Sequence, residues 1–175
     1  IGRDRRVPLP SAKRADTLAA LGRSHEADVA FEEYFEQDPD KGRVATSLDH
    51  MRAGRKAEAI EALRGALRES PDNVDAMRCL AHIYIQDKER LSDAEALLRN
   101  ATSLAPDYAS AWMLLGGLMH ELGRHPESVV AFSRVTELEP RNAAGWTGLG
   151  NARAFAGDIE QSRDAYVQAV SLDPK

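Results

Sequence analysis

The side chains that could do chemistry are few and widely spaced in this sequence. Its histidines are His25, His50, His82, His120 and His125. None of them stands at the spacing of a metal site. The single cysteine, Cys79, excludes an internal disulfide and a cysteine-based metal cluster, and we interpret it as a small buried apolar residue. Phosphate-binding loops, His-Glu-x-x-His motifs and nucleophile elbows are absent from the sequence. The sequence therefore predicts no catalytic residue, no metal ligand and no cofactor.

One short motif is superficially similar to a dinucleotide-binding loop. Gly148 and Gly150 flank a leucine, but they lie within a predicted helix, with no strand before them and no third glycine at the right spacing. We interpret both glycines as positions where two helices pack closely.

Composition limits the classes of protein further. The 175 residues are 43% hydrophobic and 29% charged, which is enough apolar material for a core. No apolar run is long enough to cross a membrane. The net charge is −5, with +4 in residues 1–25 and −9 in the remainder. An acidic body argues against a nucleic-acid partner. Residues 1–10 are interpreted as a solvated N-terminal arm, and the cellular compartment stays open.

The elements that must position any site follow a repeat of about 34 residues. Prolines recur at Pro39, Pro71, Pro106, Pro140 and Pro174, with spacings of 32, 35, 34 and 34. Seventeen residues before each proline stand Gly22, Gly54, Glu89, Gly123 and Gly157. Glycine ends a first helix, A, and proline ends a second helix, B. The residues expected to cap the following helix A are Asp40, Asp72, Asn73, Asp107 and Asn142.

Helix B carries its own regular pattern. A small residue recurs at Ala27, Ala59, Ala94, Ser128 and Ser162. Four positions later comes a large one, at Phe31, Leu63, Leu98, Phe132 and Tyr166. The spacing places both on one helical face, where the small residue lets helices A and B approach and the large one fills the gap between them.

Helix A completes a recognisable motif. The residues Trp112, Leu115 and Gly116 recur 34 positions later as Trp146, Leu149 and Gly150. With the helix B pattern and the closing proline, this sequence resembles the tetratricopeptide repeat (TPR) family over nearly its whole length. The resemblance implies an all-α solenoid of about five stacked helix-turn-helix repeats in a right-handed superhelix, with both tryptophans in the core. The solenoid is predicted over 11–175, in units 11–39, 40–73, 74–108, 109–142 and 143–175. Units one and two match less well, and we expect distorted packing around Val44, Leu48 and Met51.

The resemblance also implies where a partner binds, because helices A line the concave surface in this family. The positions that carry over are Asp75, Arg78, His82, Gln86, Met113, His120, Glu121, Thr147, Asn151 and Phe155. Such a mixed lining suits an extended peptide or protein segment, whose identity the sequence does not give. Only Arg78 and Asn151 are similar to parts of the carboxylate-clamping type of the family. The asparagine ladder of the sugar-transferase type is absent.

A second hypothesis places the catalysis elsewhere. The chain could be the accessory repeat region of a larger enzyme, such as a bacterial TPR-containing sulfotransferase. Because the sequence stops after a helix B, we expect Ile159, Tyr166 and Val170 to lie on an exposed apolar face. That face would be covered by a continuing chain or would mediate self-association.

Overall fold

The computed structural model describes residues 39–88 and 90–173. These ranges hold eight helices and no strand. In chain order the helices are α1 Pro39–Arg52, α2 Lys56–Glu69, α3 Val74–Asp87, α4 Leu91–Leu104, α5 Ala109–Glu121, α6 His125–Leu138, α7 Ala143–Ala156 and α8 Ile159–Leu172. The predicted all-α solenoid class is confirmed. The predictions for the N-terminal arm and for the helices of unit one lie outside the described residues.

Three of the described helices A end at the glycines that the sequence predicts. Gly54, Gly123 and Gly157 have φ values of 72°, 71° and 92°, a left-handed conformation that favours glycine. The third unit lacks a turn glycine, and there Lys88 takes the left-handed conformation with a φ of 54°. A non-glycine residue is strained in this region.

The predicted helix caps are confirmed at Asn73 and Asn142 and wrong at the other three positions: Asp40 lies within α1, and Asp72 precedes the actual cap, Asn73. The side chains of Asn73 and Asn142 accept hydrogen bonds from the backbone N–H groups of Ala76 and Gly145, at 2.9 and 3.1 Å. Asp107 does not cap α5. Tyr108 holds the N-cap position there, without a side-chain cap.

The chain divides into two compact units, 1–66 and 67–175. In the described part of the first unit, Leu48 lies in the segment of α1 where distorted packing is expected, and its side chain is 41% exposed. The buried side chain is Ser47, whose hydroxyl donates to the Val44 carbonyl at 2.6 Å. In α2 the predicted small and large residues, Ala59 and Leu63, are buried.

The second unit is a series of helical hairpins. Each A helix packs on the B helix that follows it, as α3 on α4, α5 on α6 and α7 on α8. The A helices also contact one another, α3 with α5 and α5 with α7, whereas the described B helices of this unit have no such backbone contacts. Helices A therefore line the inner side of this unit, and we call the surface lined by α3, α5 and α7 the groove.

Two of the small residues of helix B also donate hydrogen bonds to the preceding helix A. The hydroxyl of Ser128 donates to the Gly116 carbonyl at 2.8 Å, and Ser162 donates to Gly150 at the same distance. Both serines are buried, so these bonds also satisfy the hydroxyls. The close approach predicted for these positions is confirmed.

Phe132 packs between two successive A helices. A Cβ on Gly116 would lie 3.0 Å from the Phe132 ring, and one on Gly148 only 2.4 Å from it. Gly150 has the same relationship to Tyr166, at 2.9 Å. The interpretation of Gly148 and Gly150 as packing positions is confirmed.

The expectation that both tryptophans lie in the core is wrong in part. Trp112 and Trp146 are half-buried. Their indole N–H groups donate to the carbonyls of Pro106 and Pro140, at 3.0 and 2.8 Å. Each ring therefore secures the turn before its own helix, because its polar edge needs a partner.

A closed ring of charges joins α4 to the start of α6. Glu95 accepts from Arg99 and Arg124, each at 2.8 Å. Glu127 pairs with the same two arginines, each at 2.6 Å. The ring links two successive repeats.

Candidate binding groove

Tyr108 joins two of the predicted groove residues. Its hydroxyl accepts a hydrogen bond from Arg78 Nε at 2.8 Å and donates one to Asp75 Oδ1. Burial, followed by the hydrogen bond to Asp75, raises the pKa of Tyr108 to about 12. The sequence reasoning missed this tyrosine. The signal was present, since units three and five carry capping asparagines, Asn73 and Asn142, at the corresponding place.

Arg78 is half-buried and forms no ion pair with another described residue. Its Nη2 lies 3.1 Å from Cys79 Sγ, and no carboxylate in the described ranges lies within 4.0 Å of its guanidinium nitrogens. Burial raises the pKa of the Cys79 thiol, an effect that Arg78 offsets only in part. Cys79 is therefore a neutral, buried thiol at physiological pH.

A depression of about 340 Å³ with a mixed polar and apolar lining lies beside Arg78. We call it the Arg78 pocket, and its lining is Arg78, His82, Ala109, Ser110, Met113, Leu114, Glu139 and Asn142. Three of the predicted groove residues, Arg78, His82 and Met113, thus come together. Glu139 and Asn142 were missed, because they belong to the turn between α6 and α7 rather than to a helix A.

Two side-chain interactions involve residues that line this pocket. Asn142 Nδ2 donates to Glu139 Oε2 at 2.7 Å. On α3, His82 Nε2 lies 3.2 Å from Gln86 Nε2, so the imidazole accepts from the amide when Nε2 carries no proton.

Two other predicted residues, His120 and Phe155, meet at the C-terminal ends of α5 and α7. Phe155, which is 65% exposed, packs edge-on against His120 with ring centroids 4.9 Å apart. His125 joins them, with its ring centroid 5.3 Å from His120 and 5.2 Å from Phe155. Over the described parts of the chain, no cluster of three or more His, Cys, Asp or Glu side chains could hold a metal ion.

The remaining predicted residues do not join either group. The hydroxyl of Thr147 donates to the Ala143 carbonyl at 2.9 Å, so it is used within its own helix. Asn151 accepts from the hydroxyl of Tyr166 in α8. Glu121 is exposed. The ten candidates therefore form two clusters and several separate positions, not one continuous site.

The last helix carries the expected apolar face. Ile159 and Val170 are 65% and 63% exposed, and Tyr166 is half-buried. A depression of about 520 Å³ on this face is lined by Ala154, Ile159, Ser162, Arg163, Tyr166, Val167 and Val170. None of the helices in the described ranges is long and apolar enough to span a bilayer.

Two curated relatives match this chain over a small part of their own length. The chain is 29% identical to the cellulose synthase operon protein C of Pseudomonas fluorescens, over 75% of this chain and 11% of that protein. It is 25% identical to the human protein O-mannosyl-transferase TMTC3, over 67% of this chain and 13% of that protein. The chain thus spans about a tenth of the length of these relatives.

Solved structures share the fold. A crystal structure of MamA superimposes with a TM-score of 0.70 at 19% identity, covering 99% of this chain and 97% of that one. A thermophilic TPR protein of Thermus thermophilus gives a TM-score of 0.68 at 20% identity, covering 95% and 91%. At these identities the likeness shows the fold alone.

Three family models, each described as a tetratricopeptide repeat, match successive parts of the sequence. They match residues 44–89, 87–151 and 143–175, and together span 44–175. The repeat period, the helix pairs and these matches agree: the chain belongs to the tetratricopeptide repeat family.

Proposed function

We propose that this protein-interaction scaffold binds an extended segment of a partner protein in the groove formed by α3, α5 and α7. The observation that carries the proposal is the Arg78 pocket, to which α3, α5 and the turn before α7 all contribute polar side chains. An extended segment needs such groups for its backbone and apolar positions for its side chains. Met113 supplies an apolar wall among the polar groups.

A displayed library of random peptides tests this proposal without a known partner. Peptides enriched on the purified chain are titrated by fluorescence polarisation against wild type and the double variant His82→Ala, Met113→Ala. We expect the double variant to weaken binding about tenfold, which is about 1.4 kcal/mol. Asn100→Ala is the matched control, because Asn100 is exposed on α4, away from the groove. Equal affinity for all three proteins, or no enriched peptide, would overturn the proposal.

An alternative role is that of an accessory repeat region in a larger enzyme. The specific support is the similarity to about a tenth of much longer proteins, among them a protein O-mannosyl-transferase. In that case the groove would position a protein substrate for catalysis outside this chain. Sequencing of the surrounding gene tests it: a transferase domain in the same reading frame supports the alternative, and a stop codon close by removes it.

Self-association through α8 stays a prediction. Its support is the exposed apolar face that includes Ile159 and Val170. Light scattering over a concentration series, with Val170→Asp as the control, measures it. A monomer at every concentration would contradict the prediction.

A further inference from the structure

We propose that the Arg78 pocket recognises a pair of opposite charges in its partner: an acidic side chain that binds Arg78 and a basic side chain that binds Glu139. The inference rests on the proposed function, since it names the chemistry of the segment that lies in the groove. It is carried by two charged groups that line one pocket without pairing with each other.

Arg78 supplies the positive side. An arginine has five N–H donors, of which Arg78 commits Nε to Tyr108 and one at Nη2 to the weak acceptor Cys79. The donors at Nη1 have no partner among the described residues. A half-buried guanidinium has lost part of its hydration, so a carboxylate that accepts from it recovers charge-assisted hydrogen bonds.

The guanidinium is also held in place before a ligand arrives. Tyr108 accepts from Nε, and Asp75 in turn accepts from Tyr108, so the side chain has two fixed neighbours. A preorganised arginine loses less conformational entropy on binding than a free one. Asp75 attracts Arg78 electrostatically, but its carboxylate accepts from the phenol, which leaves the donors at Nη1 for a ligand.

Glu139 supplies the negative side. One carboxylate oxygen accepts from Asn142, and the other has no hydrogen-bond donor among the described residues. The Glu139 side chain is exposed, so it can pair with a lysine or arginine without a large desolvation cost.

The pairing favours internal side chains over a terminal carboxylate. A lone anion at Arg78 would be repelled by Glu139 in the same pocket, whereas an acid and a base together neutralise both walls. In an extended segment, side chains two residues apart point to the same side and lie about 7 Å apart. The expected motif is therefore an acidic residue and a basic residue separated by one position.

The test repeats the peptide selection with blocked termini on two proteins. These are wild type and the charge-swapped double variant Arg78→Glu, Glu139→Arg. Wild type is expected to enrich peptides with an acidic and a basic residue two positions apart. The swapped protein is expected to enrich the same pair in the opposite order.

A double-mutant cycle then locates each contact. Changing the acidic residue of an enriched peptide to its amide should weaken binding to wild type about tenfold, or about 1.4 kcal/mol, but leave binding to Arg78→Ala unchanged. Changing the basic residue of the peptide should likewise weaken binding to wild type but leave binding to Glu139→Gln unchanged. This exposed substitution keeps the acceptor for Asn142 and is not expected to disturb the fold.

The outcomes separate this inference from the proposed function. If enriched peptides are sensitive to the His82→Ala, Met113→Ala variant but carry no acid–base pair, the charge recognition is wrong and groove binding stands. The same conclusion follows if peptides are enriched only when their C-terminal carboxylate is free and not when it is blocked. If the peptides are insensitive to the groove variants, the proposed function itself fails.

Discussion

Arg78 Nε donates a hydrogen bond of 2.8 Å to the hydroxyl of Tyr108, and this bond joins one helix A to the start of the next. The same hydroxyl donates to Asp75, so one phenol satisfies a cation and an anion. In the neighbouring units an asparagine caps the helix at the place where Tyr108 stands. At Tyr108 this repeat gives up a side-chain cap, worth about 1 kcal/mol in other helices, and gains a contact between repeats.

Tyr108→Phe should lower the free energy of unfolding by about 1–3 kcal/mol, because two half-buried charged groups lose a partner. Urea denaturation at neutral pH measures the loss. A change within experimental error would show that water replaces the hydroxyl at no cost.

Tyr108 should also make the free energy of unfolding of the wild type depend on pH in the alkaline range. The pKa of Tyr108 is raised from 10.0 to about 12 in the folded state, so between these values the folded state binds more protons than the unfolded one. The contribution of this raised pKa to the free energy of unfolding is complete below pH 10.0. It is lost as the pH rises towards 12. The free energy of unfolding should therefore fall more steeply in this window for wild type than for Tyr108→Phe. Parallel slopes for the two proteins would argue against the raised pKa.

Gly148→Ala tests the packing between repeats. The added Cβ would lie 2.4 Å from the Phe132 ring, and overpacking of this kind costs about 1–3 kcal/mol. Gly117→Ala is the matched control: it lies in the preceding helix A with nothing within 4 Å of the new Cβ. The control should gain about 0.5–1 kcal/mol, since alanine favours the helix. Thermal denaturation should thus move the two melting temperatures in opposite directions, and a shift of the same sign would contradict the assigned packing.

Phe132→Ala and Tyr166→Ala compare one repeat position in two surroundings. Phe132 is 7% exposed between α5 and α7, and its loss should cost about 3–5 kcal/mol. Tyr166 is half-buried, with its outer side on the exposed face of α8. Its truncation should cost clearly less. Equal losses in urea denaturation would mean that Tyr166 is covered in solution, for example by a second copy.

The charged ring around Glu95 and Glu127 should respond to salt and acid. Hydrogen bonds from Arg99 and Arg124 lower the pKa of Glu95 against the opposing effect of burial. The stabilisation is therefore complete above the ordinary carboxyl pKa and is lost as pH falls through the lower folded value. Glu95→Gln should lower the melting temperature at neutral pH and low salt, and the difference should shrink in about 1 M salt or below about pH 4.

Glu137→Gln is the matched control for the ring. Among the described residues, Glu137 pairs with Arg134 alone, at 2.9 Å, so its replacement should change the melting temperature less. An equal effect at both positions would show that closing the ring adds nothing to a single ion pair.

The repeat architecture could be predicted because it depends on local rules. Gly123 and Gly157 end their helices through backbone conformation, and Ser128 and Ser162 occupy a face fixed by helical spacing. These features need only neighbours in sequence or the adjacent helix. In α1 the sequence indicates distorted packing but not which side chain is buried, and there Ser47 is buried whereas Leu48 is 41% exposed.

The candidate site was less predictable because its residues meet through contacts between repeats. The family positions include Arg78, His82 and Met113, which line one pocket, but not Tyr108 or Glu139, which lie in turns. Asn151, expected to face a ligand, instead accepts from Tyr166. Hydrogen bonds between repeats depend on how far one hairpin is turned against the next, and the period of a sequence does not contain that angle.

By itself the sequence determined the helices, their ends, the pairing of A with B and the small residues that allow close approach. These follow from backbone conformation and from apolar spacing of 3.6 residues per turn. Only the tertiary structure decided which polar groups meet across repeats: that Tyr108 bridges Asp75 and Arg78, and that Glu139 enters the Arg78 pocket without pairing with the arginine. The contacts of Tyr108 join residues 30 and 33 positions apart, and only the packed helices bring these residues within hydrogen-bonding distance.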